Sequence, residues 1–124
     1  MKLTANFSRA EFDCKDGTKV PTRFLANVRK LAEQLQALRD HIKEPVMITG
    51  SGYRTPEHNR RVGGAPNSQH LTASGADINA RNYTPRQLAN VIEKLIKEGK
   101  MMQGGIGVYK GFVHYDIRGT RARW

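Results

Sequence analysis

Cysteine is almost absent from this sequence: Cys14 is the only one among 124 residues, so the chain cannot form an internal disulfide. A lone cysteine is more often a small packing residue than a nucleophile, and we interpret Cys14 in that way. The stability of the fold must therefore come from its hydrophobic core, and a domain of this size can bury only a modest core. The length predicts one domain over residues 1–124, without room for a second module.

Long apolar runs are also missing. The longest apolar stretches extend over only a few residues, so we expect no membrane-spanning helix. Residues 1–10 contain no apolar segment that leads to a small-residue cleavage site, which a secretory signal peptide requires. The sequence therefore excludes a membrane span and indicates no export signal in this chain.

Acidic residues are scarce, with 11 Asp and Glu against 21 Lys and Arg, which gives a formal net charge of +10. This charge favours encounter with a polyanion, and nucleic acid and the bacterial cell wall both qualify. A nucleic-acid-binding protein usually has a basic face with interleaved aromatic residues or a recognisable helix motif. Here the basic residues are dispersed from Lys2 to Arg123. We expect no specific nucleic-acid partner, and a basic surface that is merely solvated is an equally good interpretation.

Two helices and a strand are predicted from hydrophobic periodicity. Apolar side chains spaced by three and four over residues 22–42 indicate one helical stripe that faces the core. The short apolar run at residues 46–49, after Pro45, is typical of a buried strand. A second helix is predicted from Thr84, which is followed by a proline at the first helical position and a glutamine three residues after the cap, to Gly99.

A β-hairpin is predicted further along the chain. Residues 105–109 and 112–118 have strand character, and Lys110-Gly111 between them is typical of a tight turn. Because helices and strands are segregated, without a repeating strand-helix-strand order, the predicted class is α+β. We expect a small, mostly antiparallel sheet with helices packed on it.

The segment 51–69 is polar and rich in glycine, proline and asparagine. A compact domain seldom retains so long a loop without a functional reason. The segment leads directly to His70, which makes it a candidate border of a functional site.

The residues that can carry chemistry are concentrated in the second half of the chain. His70 and Asp77 are seven residues apart, a pair that alone proves little. Alternation along the predicted strand 112–118 places His114 and Asp116 on one face. If this face meets a loop that carries His70 and Asp77, two imidazole nitrogens and one carboxylate oxygen converge, as in a catalytic zinc site. We expect such a site on the sheet face, with a position left for water.

Each of these residues also has a structural interpretation. Asp77 could cap a turn after Gly75, and Asp116 could pair with Arg118 or with Arg54. The other two histidines are assigned to structural or surface positions: His41 and His58.

Three ordered blocks of residues carry a family resemblance over nearly the whole chain. They are Ser51-Gly52-Tyr53-Arg54-Thr55 followed by Asn59, Ser68-Gln69-His70 with Gly75-Ala76-Asp77, and Phe112-Val113-His114-Tyr115-Asp116 with the closing Arg121-Ala122-Arg123-Trp124. Residues 6–17 also look like the N-terminal segment that is common in small members of the same family. The chain thus resembles the zinc D-Ala-D-Ala carboxypeptidases and L-alanyl-D-glutamate endopeptidases of bacteria and their phages, a family that includes vancomycin-resistance carboxypeptidases.

The resemblance implies a zinc site formed by His70, Asp77 and His114. It also implies that Arg54 serves the substrate, because a planar guanidinium can hold a carboxylate bidentately or stabilise an oxyanion. The structural alternative for Arg54 is a surface ion pair. Two weaker substrate-binding candidates precede the first histidine of the site: Ser68 and Gln69.

One position departs from the family pattern. Many members carry an acidic general base three residues before the second zinc histidine, and Gly111 occupies that position here. We expect Asp116 to take this role, since it lies two residues after His114 on the same strand face. The alternative is that Asp116 orients a metal ligand or pairs with Arg54.

The resemblance therefore implies a zinc metallopeptidase that hydrolyses bonds involving D-amino acids in peptidoglycan stem peptides or cross-links. In the expected mechanism, zinc activates a water and polarises the scissile carbonyl while Asp116 accepts the proton. The expected partners are peptidoglycan peptides, and we expect a monomer. We expect action on the bacterial cell wall, in the periplasm or outside the cell, by a phage lysis protein, a virion component or one domain of a processed precursor.

Two other functions stay open. The first is a cell-wall-binding module that keeps the zinc but has lost turnover, which the glycine at position 111 makes conceivable. The second is a basic nucleic-acid-binding domain whose arginines contact phosphates; it would bind DNA with a steep salt dependence and would bind no zinc.

Overall fold

A computed structural model describes residues 1–124 of the protein. Three α-helices and five β-strands form the framework. The helices are α1 Leu25–Ile42, α2 Pro56–Arg61 and α3 Pro85–Lys97. The strands are β1 Val46–Ile48, β2 Gly75–Ala80, β3 Gly105–Val108, β4 Val113–Asp116 and β5 Ala122–Arg123. Short 3-10 turns cover Arg9–Phe12, Thr22–Phe24 and Gln69–Thr72.

The five strands form one sheet in the order β1-β2-β4-β3-β5. All neighbouring strands are antiparallel except β3 and β5, which are parallel. The predicted α+β class with a mostly antiparallel sheet is therefore confirmed. The central pair β2 and β4 is joined in a register that sets Asp77 directly opposite His114. Two of the predicted metal ligands thus lie side by side in the middle of the sheet.

Helix α1 follows the predicted apolar stripe. Its buried residues are spaced by three and four along the chain, and they pack against β1, α3 and the N-terminal segment. The first predicted turn, Thr22–Phe24, is 3-10 rather than α-helical. The helix ends where Lys43 adopts a left-handed conformation with φ 58°, just before Pro45. The fully buried aromatic rings of the N-terminal segment, Phe7 and Phe12, complete this side of the core.

Helix α3 begins as the sequence predicts. The Thr84 hydroxyl accepts a hydrogen bond from the backbone N–H of Gln87 at 3.1 Å, and the Gln87 side chain accepts one from the backbone N–H of Thr84 at 2.9 Å. This capping box satisfies two backbone donors that a helix start otherwise leaves unpaired. The apolar face of α3 packs against β2, β3 and β4, so α3 supports the strands that carry the site.

Two expectations about local structure are corrected, and one strand was missed. Asp77 lies on the central strand β2 and not on a loop, because residues 75–80 pair with β1 and β4 on both sides. The polar segment 51–69 is not structureless, since α2 forms within it and Thr55 caps that helix. The last strand, β5, was not predicted, because two residues carry no periodicity. No helix combines the length and the apolar character that crossing a membrane requires.

Candidate metal centre

His70 is presented to the site by a 3-10 turn. The Ser68 hydroxyl caps this turn by accepting a hydrogen bond from the backbone N–H of His70 at 3.2 Å. The imidazole is buried, and its Nδ1 lies 2.7 Å from the carbonyl oxygen of Gly52. Because a carbonyl only accepts, Nδ1 must carry the proton. The other ring nitrogen, Nε2, lies 3.3 Å from Oδ1 of Asp77.

His114 reaches the same carboxylate oxygen from the neighbouring strand. Its Nδ1 lies 3.2 Å from Oδ1 of Asp77, as the direct cross-strand register requires. Its Nε2 lies 2.7 Å from Oδ2 of Asp116 and donates to that carboxylate. The two imidazole rings meet edge to face with centroids 5.0 Å apart. His70 and His114 therefore turn one nitrogen each toward Asp77 and use the other to bind the surrounding protein.

Asp116 is fully buried and its two carboxylate oxygens are occupied. Oδ1 accepts from the backbone N–H of Gly105 at 2.9 Å and from Nε of Arg118 at 2.9 Å. Oδ2 accepts from His114 and from Nη2 of Arg118, each at 2.7 Å. Gly105 leaves space for this arrangement, because a Cβ at that position would collide with the carboxylate.

This placement does not fit the expectation that Asp116 is a general base. A base must reach the proton that it removes, whereas Asp116 is fully buried and its carboxylate oxygens already accept hydrogen bonds from the protein. The placement fits the alternative, in which Asp116 orients His114. Of the two arginines considered as its partner, Arg118 forms the ion pair and Arg54 does not.

The charges of the site are strongly coupled. Burial alone would raise the pKa of Asp77, but hydrogen bonds from His114 and His70 and their positive charges outweigh it and hold the pKa well below its usual range. Burial alone would lower the pKa of His114, and the hydrogen bonds and negative charges of Asp116 and Asp77 raise it instead. The pKa of Asp116 is also held low, because hydrogen bonds from His114, Arg118 and Gly105 outweigh its burial. Both carboxylates therefore remain anionic.

The donor set fits a divalent metal ion. A metal ion binds the neutral form of an imidazole, and in that form, with their outer nitrogens protonated, His70 and His114 turn lone pairs toward a carboxylate oxygen that also only accepts. If the second nitrogen of one ring were also protonated, the contact of that ring with Asp77 would become a hydrogen bond. The contact of the other ring would still bring two acceptor atoms together. A metal ion bound by two nitrogens and one oxygen satisfies all three groups, and this is a catalytic zinc donor set. Outer hydrogen bonds to a carbonyl and a carboxylate are the supports that metal-binding histidines usually have.

Arg54 lies beside these three residues. Its Nε donates to the Ser51 hydroxyl at 2.8 Å, its Nη1 donates to the side-chain oxygen of Asn59 at 3.1 Å, and its Nη2 lies 3.7 Å from Oδ2 of Asp77. The segment that carries it is joined to β2, since the backbone N–H of Asp77 donates to the carbonyl of Ser51 at 2.9 Å. The guanidinium is therefore fixed on several sides, which a surface ion pair would not require.

The site opens into a cleft of about 490 Å³. His70, Asp77, His114 and Arg54 line it, together with the two substrate-binding candidates, Ser68 and Gln69. Three aromatic side chains form one rim. They are Tyr109, Phe112 and Trp124. Asp77 is the only acidic side chain that lines this cleft, so the cleft suits an anionic ligand once a metal ion neutralises that group.

Several residues near the site were not assigned a role from the sequence. Asn59 is buried and holds Arg54, and it is itself fixed by donating to the carbonyl of Ala65 at 2.9 Å. Trp124 packs with its ring centroid 5.2 Å from that of His114 and donates from Nε1 to the Tyr109 hydroxyl at 2.7 Å. Asn59 and Trp124 both belong to the motif blocks that carry the family resemblance. This membership was the only sequence signal that could have indicated a role for them near the site. Their contacts depend on packing between distant segments.

The two histidines assigned to other positions lie outside the cleft. His41 is exposed near the end of α1, and His58 is half-buried on α2. Neither lines the cleft.

Comparison with known proteins agrees with this geometry. The family model described as Peptidase M15 matches residues 5–116, which include the three clustered candidate ligands and Arg54. No curated protein matches the chain significantly.

Proposed function

The chain belongs to the peptidase M15 family, a family of metal-dependent peptidases, and we propose that it is a zinc peptidase that hydrolyses bonds involving D-amino acids in bacterial peptidoglycan. The observation that carries this proposal is the convergence of His70, Asp77 and His114 on one point of the cleft, with both imidazoles supported from outside. The matched family and the donor set point to the same chemistry.

We assign the metal-binding atoms from the tautomers. His70 would bind through Nε2 and His114 through Nδ1, because their other nitrogens donate to Gly52 and Asp116. Asp77 would contribute its carboxylate. When bound, zinc makes a water more acidic and polarises a carbonyl oxygen. Histidines and one carboxylate as ligands suit zinc, and other divalent ions can share such a site.

Arg54 is proposed as the residue that contacts the substrate. Its guanidinium borders the cleft and keeps a fixed orientation through Ser51 and Asn59. A guanidinium in this place can bind the carboxylate of a peptide or stabilise the oxyanion that forms during hydrolysis. Ser68 and Gln69 line the same cleft and are retained as weaker candidates, with Ser68 also committed to capping the turn that bears His70.

Asp116 is proposed as a positioning residue for His114. Its hydrogen bond to Nε2 fixes the ring and its tautomer, and Arg118 and Gly105 fix the carboxylate in turn. Such outer partners increase the basicity of the ligand nitrogen and keep it aimed at the metal.

The variant Asp116→Asn distinguishes a positioning role of Asp116 from a role as general base. A positioning role predicts that zinc affinity falls by about 10–100-fold, and that turnover partly returns when excess zinc fills the site. The measurement is a zinc titration followed by hydrolysis assays at saturating zinc. Asp40→Asn, at an exposed position on α1, is the matched control and should change neither quantity. A variant that binds zinc with unchanged affinity and is inactive would instead restore Asp116 as the general base.

The substrate class is consistent with the charge of the protein. Cell walls contain anionic polymers that would retain a chain with a net charge of +10, and added salt should weaken that retention. Residues 62–65 and 67 also line the cleft, so the loop after α2 is proposed to select between a terminal D-alanine and a cross-link. Action at the cell wall, as a monomer, remains part of the proposal.

The proposed function is tested by measuring zinc per chain and the release of amino groups from purified peptidoglycan. We expect one cleft-bound zinc ion, release of amino groups, and loss of this activity after chelation with recovery on adding zinc. A wild-type protein that fails to bind zinc at the cleft would refute the peptidase. Zinc binding without any cleavage would favour a cell-wall-binding module.

A further inference from the structure

A second cluster of metal-binding side chains lies outside the cleft. The Cys14 thiol, a carboxylate oxygen of Asp16 and a ring nitrogen of His58 all lie within 4.8 Å of one another. Cys14 and Asp16 belong to the N-terminal segment that precedes α1, and His58 belongs to α2. None of the three lines the catalytic cleft, so this cluster is separate from the site described above.

One member of the cluster has an unsatisfied polar atom. Nδ1 of His58 is buried and has no hydrogen-bond partner in the protein. A buried polar nitrogen without a partner costs free energy, and most such groups in folded proteins are paired. The Cys14 side chain is also buried, with 4% of the residue exposed. The buried thiol of Cys14 and the imidazole of His58 thus lie next to a carboxylate, and one imidazole nitrogen still lacks a bonding partner.

The carboxylate is fixed in position from the outside. Oδ1 of Asp16 accepts from the backbone N–H of Thr18 at 2.8 Å, and Oδ2 accepts from the Thr55 hydroxyl at 2.9 Å. The same Thr55 hydroxyl accepts from the backbone N–H of His58 at 3.1 Å. The carboxylate is therefore held beside Cys14 and His58 by its own hydrogen bonds.

We propose that Cys14, Asp16 and His58 bind a second, structural metal ion of the zinc class. A donor set of one sulfur, one nitrogen and one oxygen suits zinc or cobalt and does not suit magnesium or calcium, which prefer oxygen ligands. On binding, the Cys14 S–H bond ionises, the proton passes to solvent and the thiolate binds the metal. This site is independent of the proposed activity.

The metal would join two segments that are distant in sequence. It links the N-terminal segment to α2, which starts two residues after Arg54. Two hydrogen bonds already join the segments near this junction: the backbone N–H of Tyr53 donates to the carbonyl of Phe12 at 2.8 Å, and the Thr55 hydroxyl donates to Asp16 at 2.9 Å. Because a ligand that binds only the folded state stabilises it, metal at this site should raise the thermal unfolding temperature.

Cobalt(II) substitution tests the proposal with a signal that the cleft cannot produce. Cys14 is the only cysteine, and the donor set of the cleft contains no sulfur. The full chain titrated with cobalt(II) should bind two ions and show a near-ultraviolet thiolate-to-cobalt absorption band. Cys14→Ser should lose this band and one of the two ions, whereas His114→Ala should lose one ion and keep the band.

A second variant covers the case in which Cys14→Ser does not fold. His58→Gln keeps the thiol and should lose the band and the second ion, and His41→Gln, at an exposed histidine, should keep both. The proposal is overturned if the wild type shows no thiolate band while the cleft is filled with cobalt. An unchanged band in His58→Gln would equally overturn it, because His58 would then not be a ligand.

Discussion

The variant His114→Ala is expected to lose the cleft metal and all measurable hydrolysis. His114 supplies one of three ligand atoms and sits on the central strand β4, where no other side chain can replace its Nδ1. Loss of an outer partner of a ligand already costs about 10–100-fold in metal affinity, so loss of the ligand itself should cost more. The measurements are zinc content per chain and amino-group release from peptidoglycan.

The same change should also destabilise the metal-free protein. His114 is buried between Asp77 and Asp116, and its removal leaves Asp77 with the contact to Nε2 of His70 at 3.3 Å and the longer one to Nη2 of Arg54 at 3.7 Å. Removing one partner of a buried ion pair commonly costs about 3–5 kcal/mol. Thermal unfolding should therefore accompany the zinc measurement, and His114→Gln, which keeps more of the side-chain volume, is the milder companion variant.

The control for this experiment is His41→Ala. His41 is exposed near the end of α1 and takes no part in the cleft, so zinc content and hydrolysis should stay at the wild-type level. A folded His114→Ala protein with a full zinc complement in the cleft would contradict the assigned ligand set.

The variant Arg54→Lys is expected to retain zinc and lose about 10²–10³-fold in kcat/KM, the range seen when one oxyanion-stabilising donor is removed. Lysine keeps the positive charge. It cannot donate to Ser51 and Asn59 and at the same time present a planar pair of donors to the cleft. The measurement is steady-state hydrolysis of a stem-peptide substrate by the zinc-loaded protein.

The kinetic parameter that changes identifies the role of Arg54. A loss mainly in kcat indicates contact with the oxyanion, whereas a rise mainly in KM indicates binding of a substrate carboxylate. Arg61→Lys is the matched control, because Arg61 is exposed at the end of α2 and lies outside the cleft. If Arg54→Lys hydrolysed the substrate as fast as the wild type, Arg54 would have only a structural role.

Local features of the chain were predicted well because their signals lie within one turn or one strand. The apolar spacing of α1 and the capping box at Thr84 need only neighbouring residues, and both are present. The strand that bears His114 was also predicted, within two residues at its end. The extent of segments without periodicity, such as α2 and β5, was not predicted, because their structure depends on what they pack against.

The candidate ligands could be selected from residue types and motif spacing, but their contacts could not. The sequence placed Asp77 on a loop, whereas pairing with β1 and β4 makes it part of the central strand and sets it opposite His114. The choice of ligand nitrogen in each histidine follows from the carbonyl of Gly52 and the carboxylate of Asp116, which are brought there by the fold.

By itself, then, the sequence determined the α+β class, the main helices and hairpin, and the candidate metal ligands of the cleft. The tertiary structure alone decided that Asp116 is enclosed by His114, Arg118 and Gly105, and that Cys14 meets His58 across 44 positions of sequence. The physical reason is that periodicity and capping are properties of neighbouring residues, whereas register, burial and the direction of a lone pair depend on contacts between distant segments.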